Sequence, residues 1–252
     1  MSNLNPDPTE RFTGRSLDYK LYRPGYPDAL FQYLLDHGVI WNGCSVADVG
    51  SGTGIFTRGL LDRGVVVFAV EPNREMRECA DTDLGSIKGY CSVAGRSEAT
   101  TLGTGSVDAV TVAQAFHWFD VSLTRVEFSR ILRPGGRVCI VYNERDVSDP
   151  FSHEYEELII AYADLEKEST KKARDPRPFF GGKCNQASFP NDQKLDREGL
   201  LGRAFSAAYM PKEGDEGYEV VLRRLFEMFE QHQKDGRVIL RYNTRVYHGP
   251  LE

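Results

Sequence analysis

Residues 48–61 read DVGSGTGIFTRGLL, a glycine-rich turn between an apolar stretch and a helix-like run. The apolar stretch at 45–50 predicts a buried strand, and Ile55, Phe56 and Leu60 recur at helical spacing. Glycines in such a turn permit positive φ angles and let a ligand approach the main chain closely. The stretch therefore predicts a strand, a ligand-binding turn and a helix, which together form one unit of an open α/β sheet.

The alternation of strand and helix continues along the chain. Asn73 and Asp120 are expected to cap the helices that begin after them, and the second of these helices is expected to bury Leu123, Val126 and Ile131. Continuous apolar strands that alternate with helices predict a doubly wound, mostly parallel sheet covered on both faces. The further predicted strands lie at 65–70, 87–94, 107–113 and 137–142.

The pattern changes after residue 150. A helix is predicted at 153–168, whereas residues 169–194 are rich in Lys, Pro, Asn and Gly and are expected to form a loop or a loosely held insertion. Residues 218–229 carry the apolar stripe of a helix. Alternation from Val238 to Val246 predicts a half-exposed last strand, antiparallel to the others.

Composition limits the partners and the compartment. The formal net charge of −6 disfavours a nucleic-acid partner, because a nucleic-acid surface needs positive charge. The five cysteines form no C-x-x-C pair, which favours reduced thiols and argues against a zinc site, so no metal is expected. No apolar run reaches membrane-spanning length and no secretion signal is recognised, so we expect a cytoplasmic protein without a membrane partner.

The glycine turn does not match the two common phosphate-binding patterns. A nucleoside-triphosphate loop needs Lys and Ser/Thr after its last glycine, but Ile55 and Phe56 follow Gly54. A dinucleotide fingerprint would place its third glycine at Ile55, and Asp48 would repel a pyrophosphate. An acid at this point suits a ligand that carries positive charge and no phosphate.

The pattern D-x-G-x-G-x-G, formed by Asp48, Gly50, Gly52 and Gly54, resembles motif I of the class I S-adenosylmethionine-dependent methyltransferases. Glu71 ends the second predicted strand, where a carboxylate can accept hydrogen bonds from ribose hydroxyls. Ser97-Glu98 resembles the family's pair at the adenine edge, and LRPGG at 132–136 resembles its turn into strand five. The resemblance covers about residues 45–142, with four motifs in order. It implies a Rossmann-like sheet of seven strands with an antiparallel last strand.

Two further stretches resemble a narrower branch, the methyltransferase type 11 or trans-aconitate methyltransferase-like proteins. They are YKLYRPGYP at 19–27 and QAFHWF at 114–119. In that branch an N-terminal segment covers the cofactor as a lid, so the resemblance implies that Arg23 pairs with the cofactor's carboxylate. It also implies that Tyr19 and Tyr22 close the methyl-transfer chamber. The implied cofactor-binding residues are Asp48, Gly50, Ser51, Gly52, Thr53, Gly54, Glu71, Pro72, Met76, Ser97, Glu98, Gln114, Tyr19 and Arg23.

His117 and Tyr22 are the candidate catalytic residues. His117 is either a general base at the end of the fourth strand or a wall residue that shapes the pocket. Methyl transfer to a carboxylate needs no base, because placing the two reactants is most of the work. Both roles for His117 therefore remain open.

The predicted organisation is a lid segment at 1–40, a cofactor-binding core at 41–150, and a C-terminal part at 151–252 that completes the sheet and selects the substrate. The predicted function is methyl transfer from S-adenosylmethionine to a small molecule, with a carboxylate as the acceptor that the branch implies. Two alternatives are a non-catalytic module that binds S-adenosylmethionine or S-adenosylhomocysteine and a nicotinamide-dependent oxidoreductase. The sequence leaves the acceptor, the methylated atom and the oligomeric state open.

Overall fold

The computed structural model describes residues 20–162, 175–207 and 210–251. Within these residues the strands are β1 Ser45–Val49, β2 Val66–Val70, β3 Tyr90–Val93, β4 Val107–Ala113, β5 Leu132–Arg145, β6 Asn185–Pro190, β7 Gln193–Leu195, β8 Val238–Leu240 and β9 Tyr242–Gly249. The helices are α1 Asp28–Asp36, α2 Ile55–Leu61, α3 Arg74–Leu84, α4 Val121–Ile131, α5 Pro150–Tyr162, α6 Arg197–Phe205 and α7 Tyr218–His232. Two 3₁₀ turns lie at Phe116–Trp118 and Arg177–Phe180.

Seven strands form one sheet in the order β3-β2-β1-β4-β5-β9-β6. Strands β1 to β5 pair in parallel, and β9 runs antiparallel between β5 and β6. The predicted fold class, a doubly wound and mostly parallel seven-stranded sheet with an antiparallel last strand, is confirmed. The strand order reverses between β1 and β4, so the carboxyl ends of these strands border the crevice where ligands bind in such sheets.

The two predicted helix caps are confirmed, and both stand at this edge of the sheet. Asn73 Oδ1 accepts a hydrogen bond from Met76 N at 3.0 Å, and Asp120 Oδ1 accepts one from Leu123 N at 3.0 Å. Each cap satisfies a backbone N–H that the first turn of its helix leaves unpaired. The caps fix where α3 and α4 begin beside the crevice.

The face of α4 that packs on the sheet differs from the predicted one. Leu123 and Val126 are 57% and 70% exposed, so their predicted burial is wrong. Ile131 is buried as predicted, and Phe128 and Glu127 take the buried places that were expected for Leu123 and Val126. Hydrogen bonds from Arg130 and the Thr100 hydroxyl hold the pKa of the Glu127 carboxyl at about 2. They offset the desolvation cost of burying this carboxylate. An apolar count alone could not identify a face that includes a paired acid.

The expected loop at 169–194 also needs correction. Residues 185–190 form the edge strand β6, and Gln193 begins β7, which pairs with β8. Polar residues and a terminal proline suit an edge strand, because one side of it faces solvent. The predicted helix at 153–168 is present as α5 to Tyr162, and the rest of that range lies outside the described residues.

Among the described residues, three apolar cores hold these layers together. One lies between the sheet and α1 and α2, so residues 28–36 of the N-terminal segment belong to the sheet's packing. A second lies on the opposite face beneath α4 and the two 3₁₀ turns. A third joins α5, α6 and α7 to β7 and β8, which gives the C-terminal part its own core.

His248 in β9 makes folding sensitive to acid. It is fully buried, its Nε2 lies 3.1 Å from Tyr33 Oη, and burial together with the charges of Arg137 and His37 lowers its pKa to about 4. The folded pKa is below the unfolded value, so the stabilisation holds above the unfolded pKa and is lost as pH falls toward the folded one. Between about pH 7 and pH 5, we expect the free energy of unfolding to fall by about 2 kcal/mol more in the natural chain than in His248→Gln.

Urea unfolding of both chains at the two pH values measures this difference. The variant is the control because the carboxylates, which also begin to titrate in this range, are common to both chains. Equal losses in the two chains would show that His248 is not the acid-sensitive group.

Candidate active site

The glycine turn between β1 and α2 has one open glycine and two enclosed ones. Gly50, Gly52 and Gly54 have φ values of 73°, 57° and 84°. A Cβ at Gly50 would lie 2.5 Å from Ala115 Cβ, and a Cβ at Gly54 would lie 2.5 Å from Leu84 Cδ1, but a Cβ at Gly52 would meet nothing within 4 Å. Gly50 and Gly54 thus allow close packing of the protein on itself, while Gly52 exposes its backbone to the crevice.

Glu71 stands directly after β2 beside the open glycine. Its Oε2 accepts a hydrogen bond from Gly52 N at 3.0 Å, and its Oε1 accepts one from Asn73 N at 2.9 Å. Burial raises the pKa of this carboxyl, and the two N–H groups oppose that shift. Each oxygen keeps a further lone pair, so the carboxylate can still accept from a pair of hydroxyls.

Asp48 lies beneath the turn. The residue is buried in β1, where its oxygens accept hydrogen bonds from Thr57 Oγ1 at 2.6 Å and Thr111 Oγ1 at 2.9 Å. Desolvation raises its pKa to about 6, and the two hydroxyls counteract part of this rise. The two threonines hold the carboxylate below the backbone of the turn, from where its charge can act on a nearby cation through the protein.

Gln114 and His117 follow β4 at the same edge. Gln114 has a φ of 58°, a left-handed conformation that is uncommon without glycine and is enriched at functional sites. Its Nε2 donates to the carbonyl oxygen of Asn143 at 3.1 Å. The His117 ring lies 4.7 Å from the Trp118 ring and 6.4 Å from the Tyr142 ring. The choice between base and wall residue stays a prediction.

The remaining residues that the resemblance assigns to the cofactor lie after β2 and β3. Met76 and Ser97 are buried, and Glu98 Oε1 accepts a hydrogen bond from Asp120 N at 3.0 Å. That bond connects the turn after β3 to the start of α4. Pro72 is half-buried next to Glu71. These positions share one edge with the glycine turn, and their contact with the cofactor stays a prediction.

Residues 20–27, called the cover segment below, lie against both the core and the C-terminal part. Lys20 forms an ion pair with Asp83 of α3. The Tyr26 ring packs edge-on against Phe56 in the first turn of α2, with centroids 4.9 Å apart. These contacts place the two ends of the cover segment beside the helices that flank the glycine turn.

The end of β5 and the C-terminal part together hold the middle of the cover segment. The carbonyl oxygen of Gly25 accepts hydrogen bonds from Asn143 Nδ2 at 3.1 Å and Asn191 Nδ2 at 2.9 Å. Gln193 Nε2 donates to the carbonyl oxygen of Tyr22 at 2.8 Å. Arg23 is half-buried in this segment, whereas Tyr19 lies outside the described residues.

The Tyr22 ring packs on α6. A Cβ at Gly202 would lie 2.3 Å from this ring, so only glycine admits the contact. Tyr22 therefore joins the cover segment to the C-terminal part, which the sequence analysis predicts to select the substrate.

Sequence reasoning missed three carboxamide residues at this junction: Asn143, Asn191 and Gln193. Asn143 stands near the end of β5, Asn191 lies in the turn between β6 and β7, and Gln193 begins β7. Their roles depend on hydrogen bonds to residues more than a hundred positions away. Local spacing carries no signal for such contacts.

Two features are absent from residues 20–162, 175–207 and 210–251. No group of three or more His, Cys, Asp or Glu side chains there is placed to hold a metal ion. In the same ranges no helix combines the length and apolar character needed to cross a bilayer.

Comparison with known proteins identifies relatives over most of the chain. A family model described as a methyltransferase domain matches residues 47–140. An uncharacterized methyltransferase of Mycobacterium tuberculosis (strain ATCC 25618 / H37Rv) is 35% identical over 191 residues, 76% of this chain and 74% of the relative. An uncharacterized methyltransferase-like protein of Schizosaccharomyces pombe is 29% identical over 241 residues, 93% of each chain.

Solved structures share the fold. One is a protein of Anaeromyxobacter dehalogenans, provisionally named a type II methyltransferase. It superposes on this chain with a TM-score of 0.69 and 21% sequence identity, and the match covers 91% of this chain and 98% of that protein. An N-methyltransferase of Haemonchus contortus, solved with phosphomonomethylethanolamine and S-adenosylhomocysteine, gives 0.57 at 14% identity, covering 97% of this chain and 59% of its own. The fold, the family match and the relatives agree, and this chain belongs to the class I S-adenosylmethionine-dependent methyltransferases.

Proposed function

We propose that this chain binds S-adenosylmethionine across the open glycine of the turn and transfers its methyl group to a small-molecule acceptor. The observation that carries the proposal is the pairing of Gly52 with Glu71. Open space lies where a Cβ would stand on Gly52, and the adjacent buried carboxylate keeps hydrogen-bonding capacity on both oxygens. A ribose diol meets both requirements.

The remaining groups of the turn fit the same cofactor. Thr53 is 3% exposed, and its hydroxyl has no hydrogen-bond partner among the residues that the structure describes. A polar ligand on the turn would supply one. The buried Asp48 carboxylate adds negative potential beneath the turn, which favours a cationic ligand over a pyrophosphate.

The chain's contribution to the reaction is placement in a site shielded from water. When bound, S-adenosylmethionine would supply a methyl group on a positively charged sulfur. An acceptor lone pair could then attack the methyl carbon in line with the carbon–sulfur bond, and the sulfur would leave as the thioether of S-adenosylhomocysteine. We propose that the cover segment shields the strand ends from water and that Tyr22 and His117 border the methyl-transfer chamber. Proximity and exclusion of water are sufficient for a displacement of this kind.

A small acceptor, with a carboxylate as the first candidate, suits this arrangement. The cover segment is hydrogen-bonded to residues on the far side of the crevice, which leaves a polymer less access than a metabolite. A carboxylate already carries the nucleophilic lone pair, so its methylation does not need a general base. His117, whose ring lies beside the rings of Trp118 and Tyr142, could then act only as a wall of the pocket.

Incubation with methyl-tritiated S-adenosylmethionine and a panel of small carboxylic acids, amines and alcohols tests the acceptor. We expect label in a base-labile methyl ester of a carboxylic acid. Label in an amine or alcohol instead would contradict the carboxylate assignment. Binding of the cofactor without transfer to any panel member would favour the non-catalytic module.

Arg23→Ala tests the proposed role of the cover segment. Loss of a charge-assisted hydrogen bond to the cofactor's carboxylate should weaken S-adenosylhomocysteine binding by about ten-fold or more, measured by calorimetry. Arg58→Ala is the control, because Arg58 pairs with Asp62 on the exposed side of α2. An affinity in Arg23→Ala equal to that of the control would remove Arg23 from the site.

A further inference from the structure

Three carboxamide side chains hold the cover segment by its main chain. Asn143 and Asn191 both donate to the Gly25 carbonyl oxygen, and Gln193 donates to that of Tyr22. The side-chain oxygen of Asn143 has partners too: Asn143 Oδ1 accepts from Thr244 Oγ1 at 2.6 Å and from Asn191 Nδ2 at 3.2 Å. Gln193 differs from Asn143 in the state of its oxygen.

The orientation of the Gln193 carboxamide is fixed by its partner. The Tyr22 carbonyl oxygen can only accept, so the Gln193 group 2.8 Å from it must be the NH₂. The other end, Oε1, is therefore an acceptor. Oε1 is buried, and none of the described residues donates a hydrogen bond to it. A buried carbonyl oxygen without a donor is costly, and it requires an explanation in a native structure.

Gln193 lies near the carboxyl ends of β4 and β5. Its neighbour Asn191 donates to Asn143 Oδ1, and the main-chain oxygen of Asn143 in turn accepts from Gln114 Nε2. On its other side Gln193 holds Tyr22, the residue before Arg23. The unsatisfied oxygen thus belongs to a side chain at the junction of the cover segment and the crevice. These hydrogen bonds connect it to the neighbourhood of Arg23 and Gln114, two residues assigned to the cofactor.

We infer that Gln193 Oε1 accepts a hydrogen bond from the α-ammonium group of the cofactor. The inference rests on the proposed function. The amino-acid end of S-adenosylmethionine carries a carboxylate, for which Arg23 is proposed, and an ammonium with three N–H donors, which needs an acceptor close by. A neutral carboxamide oxygen stabilises an ammonium without adding charge. One side chain then binds the cofactor with its oxygen and the cover segment with its NH₂, and coupling of cofactor binding to closure of that segment follows.

Calorimetric titration of the natural chain, Gln193→Met and Asn191→Ala tests this inference. Methionine keeps the length of glutamine and removes both polar ends, while Asn191→Ala removes a cover-segment contact and no unsatisfied acceptor. The two probes are S-adenosylhomocysteine and 5′-methylthioadenosine, which shares the adenosine and thioether but lacks the amino-acid end. Thermal unfolding of each chain establishes that it is folded.

We expect Gln193→Met to weaken S-adenosylhomocysteine binding by about ten-fold or more and to change 5′-methylthioadenosine binding by less than about two-fold. Asn191→Ala should weaken S-adenosylhomocysteine less than about three-fold. Unchanged S-adenosylhomocysteine affinity in Gln193→Met, or equal losses for both probes, would overturn the inference. A folded natural chain that binds neither probe would contradict the proposed function itself.

Discussion

Glu71→Ala is expected to weaken S-adenosylhomocysteine binding by about a hundred-fold or more. The change removes two charge-assisted hydrogen bonds to the ribose, each worth about 1.5–3 kcal/mol. It also removes the acceptor that holds Gly52 N at 3.0 Å, so the turn loses part of its orientation toward the crevice. Calorimetric titration of both chains measures the effect.

Glu78→Ala is the matched control for this substitution. Glu78 lies on α3, and its carboxylate pairs with Arg74 in solvent, so its removal lowers the local negative charge by the same amount. We expect the affinity of the control to stay within about two-fold of the natural chain. A Glu71→Ala chain that is folded and binds as tightly as the control would place the ribose elsewhere.

Alanine substitutions at two glycines of one turn are expected to have different consequences. Gly50→Ala should lower the free energy of unfolding by about 2–4 kcal/mol, because a left-handed alanine costs about 1 kcal/mol and its Cβ overlaps Ala115. Gly52→Ala should cost only about 1 kcal/mol, since its Cβ enters open space. The same Cβ should weaken S-adenosylhomocysteine binding by about ten-fold or more, because the ligand is proposed to occupy that space.

Gly43→Ala supplies the matched control for Gly52→Ala. Gly43 has a φ of 83° and nothing within 4 Å of a built Cβ, but it lies before β1 at the opposite end of the strand. Its stability loss should equal that of Gly52→Ala, and its ligand affinity should match the natural chain. Urea unfolding and calorimetry give the two quantities. Undiminished affinity in Gly52→Ala would show that the ligand does not contact this part of the turn.

The parts of the fold that sequence could predict depend on local chemistry. Asn73 and Asp120 cap helices because a short side-chain acceptor beside the first turn satisfies a free N–H in any context. The apolar strands β1, β2 and β4 are buried on both faces and therefore appear as continuous apolar runs. Motifs at the carboxyl ends of these strands follow from the same regularity.

The parts that sequence could not predict depend on partners distant in the chain. Glu127 is buried in α4 because Thr100 and Arg130 donate hydrogen bonds to its carboxylate. The helix therefore turns the face with Glu127 toward the core, and Leu123 is exposed. The edge strand β6 has the composition of a loop, and it forms a strand because its backbone pairs with that of β9. Gln193 and its neighbours reach the cover segment by hydrogen bonds that no local pattern encodes.

The most direct test of the proposed cofactor site is an NMR titration of the ¹⁵N-labelled chain with S-adenosylhomocysteine. The amides of Gly52 and Asn73 both donate to the Glu71 carboxylate, so they report on the group proposed to hold the ribose. We expect both amide resonances to shift with saturation at one equivalent, while the amide of Gly43 at the opposite end of β1 stays in place. Saturable binding that leaves Gly52 and Asn73 unchanged would contradict a cofactor site on this turn.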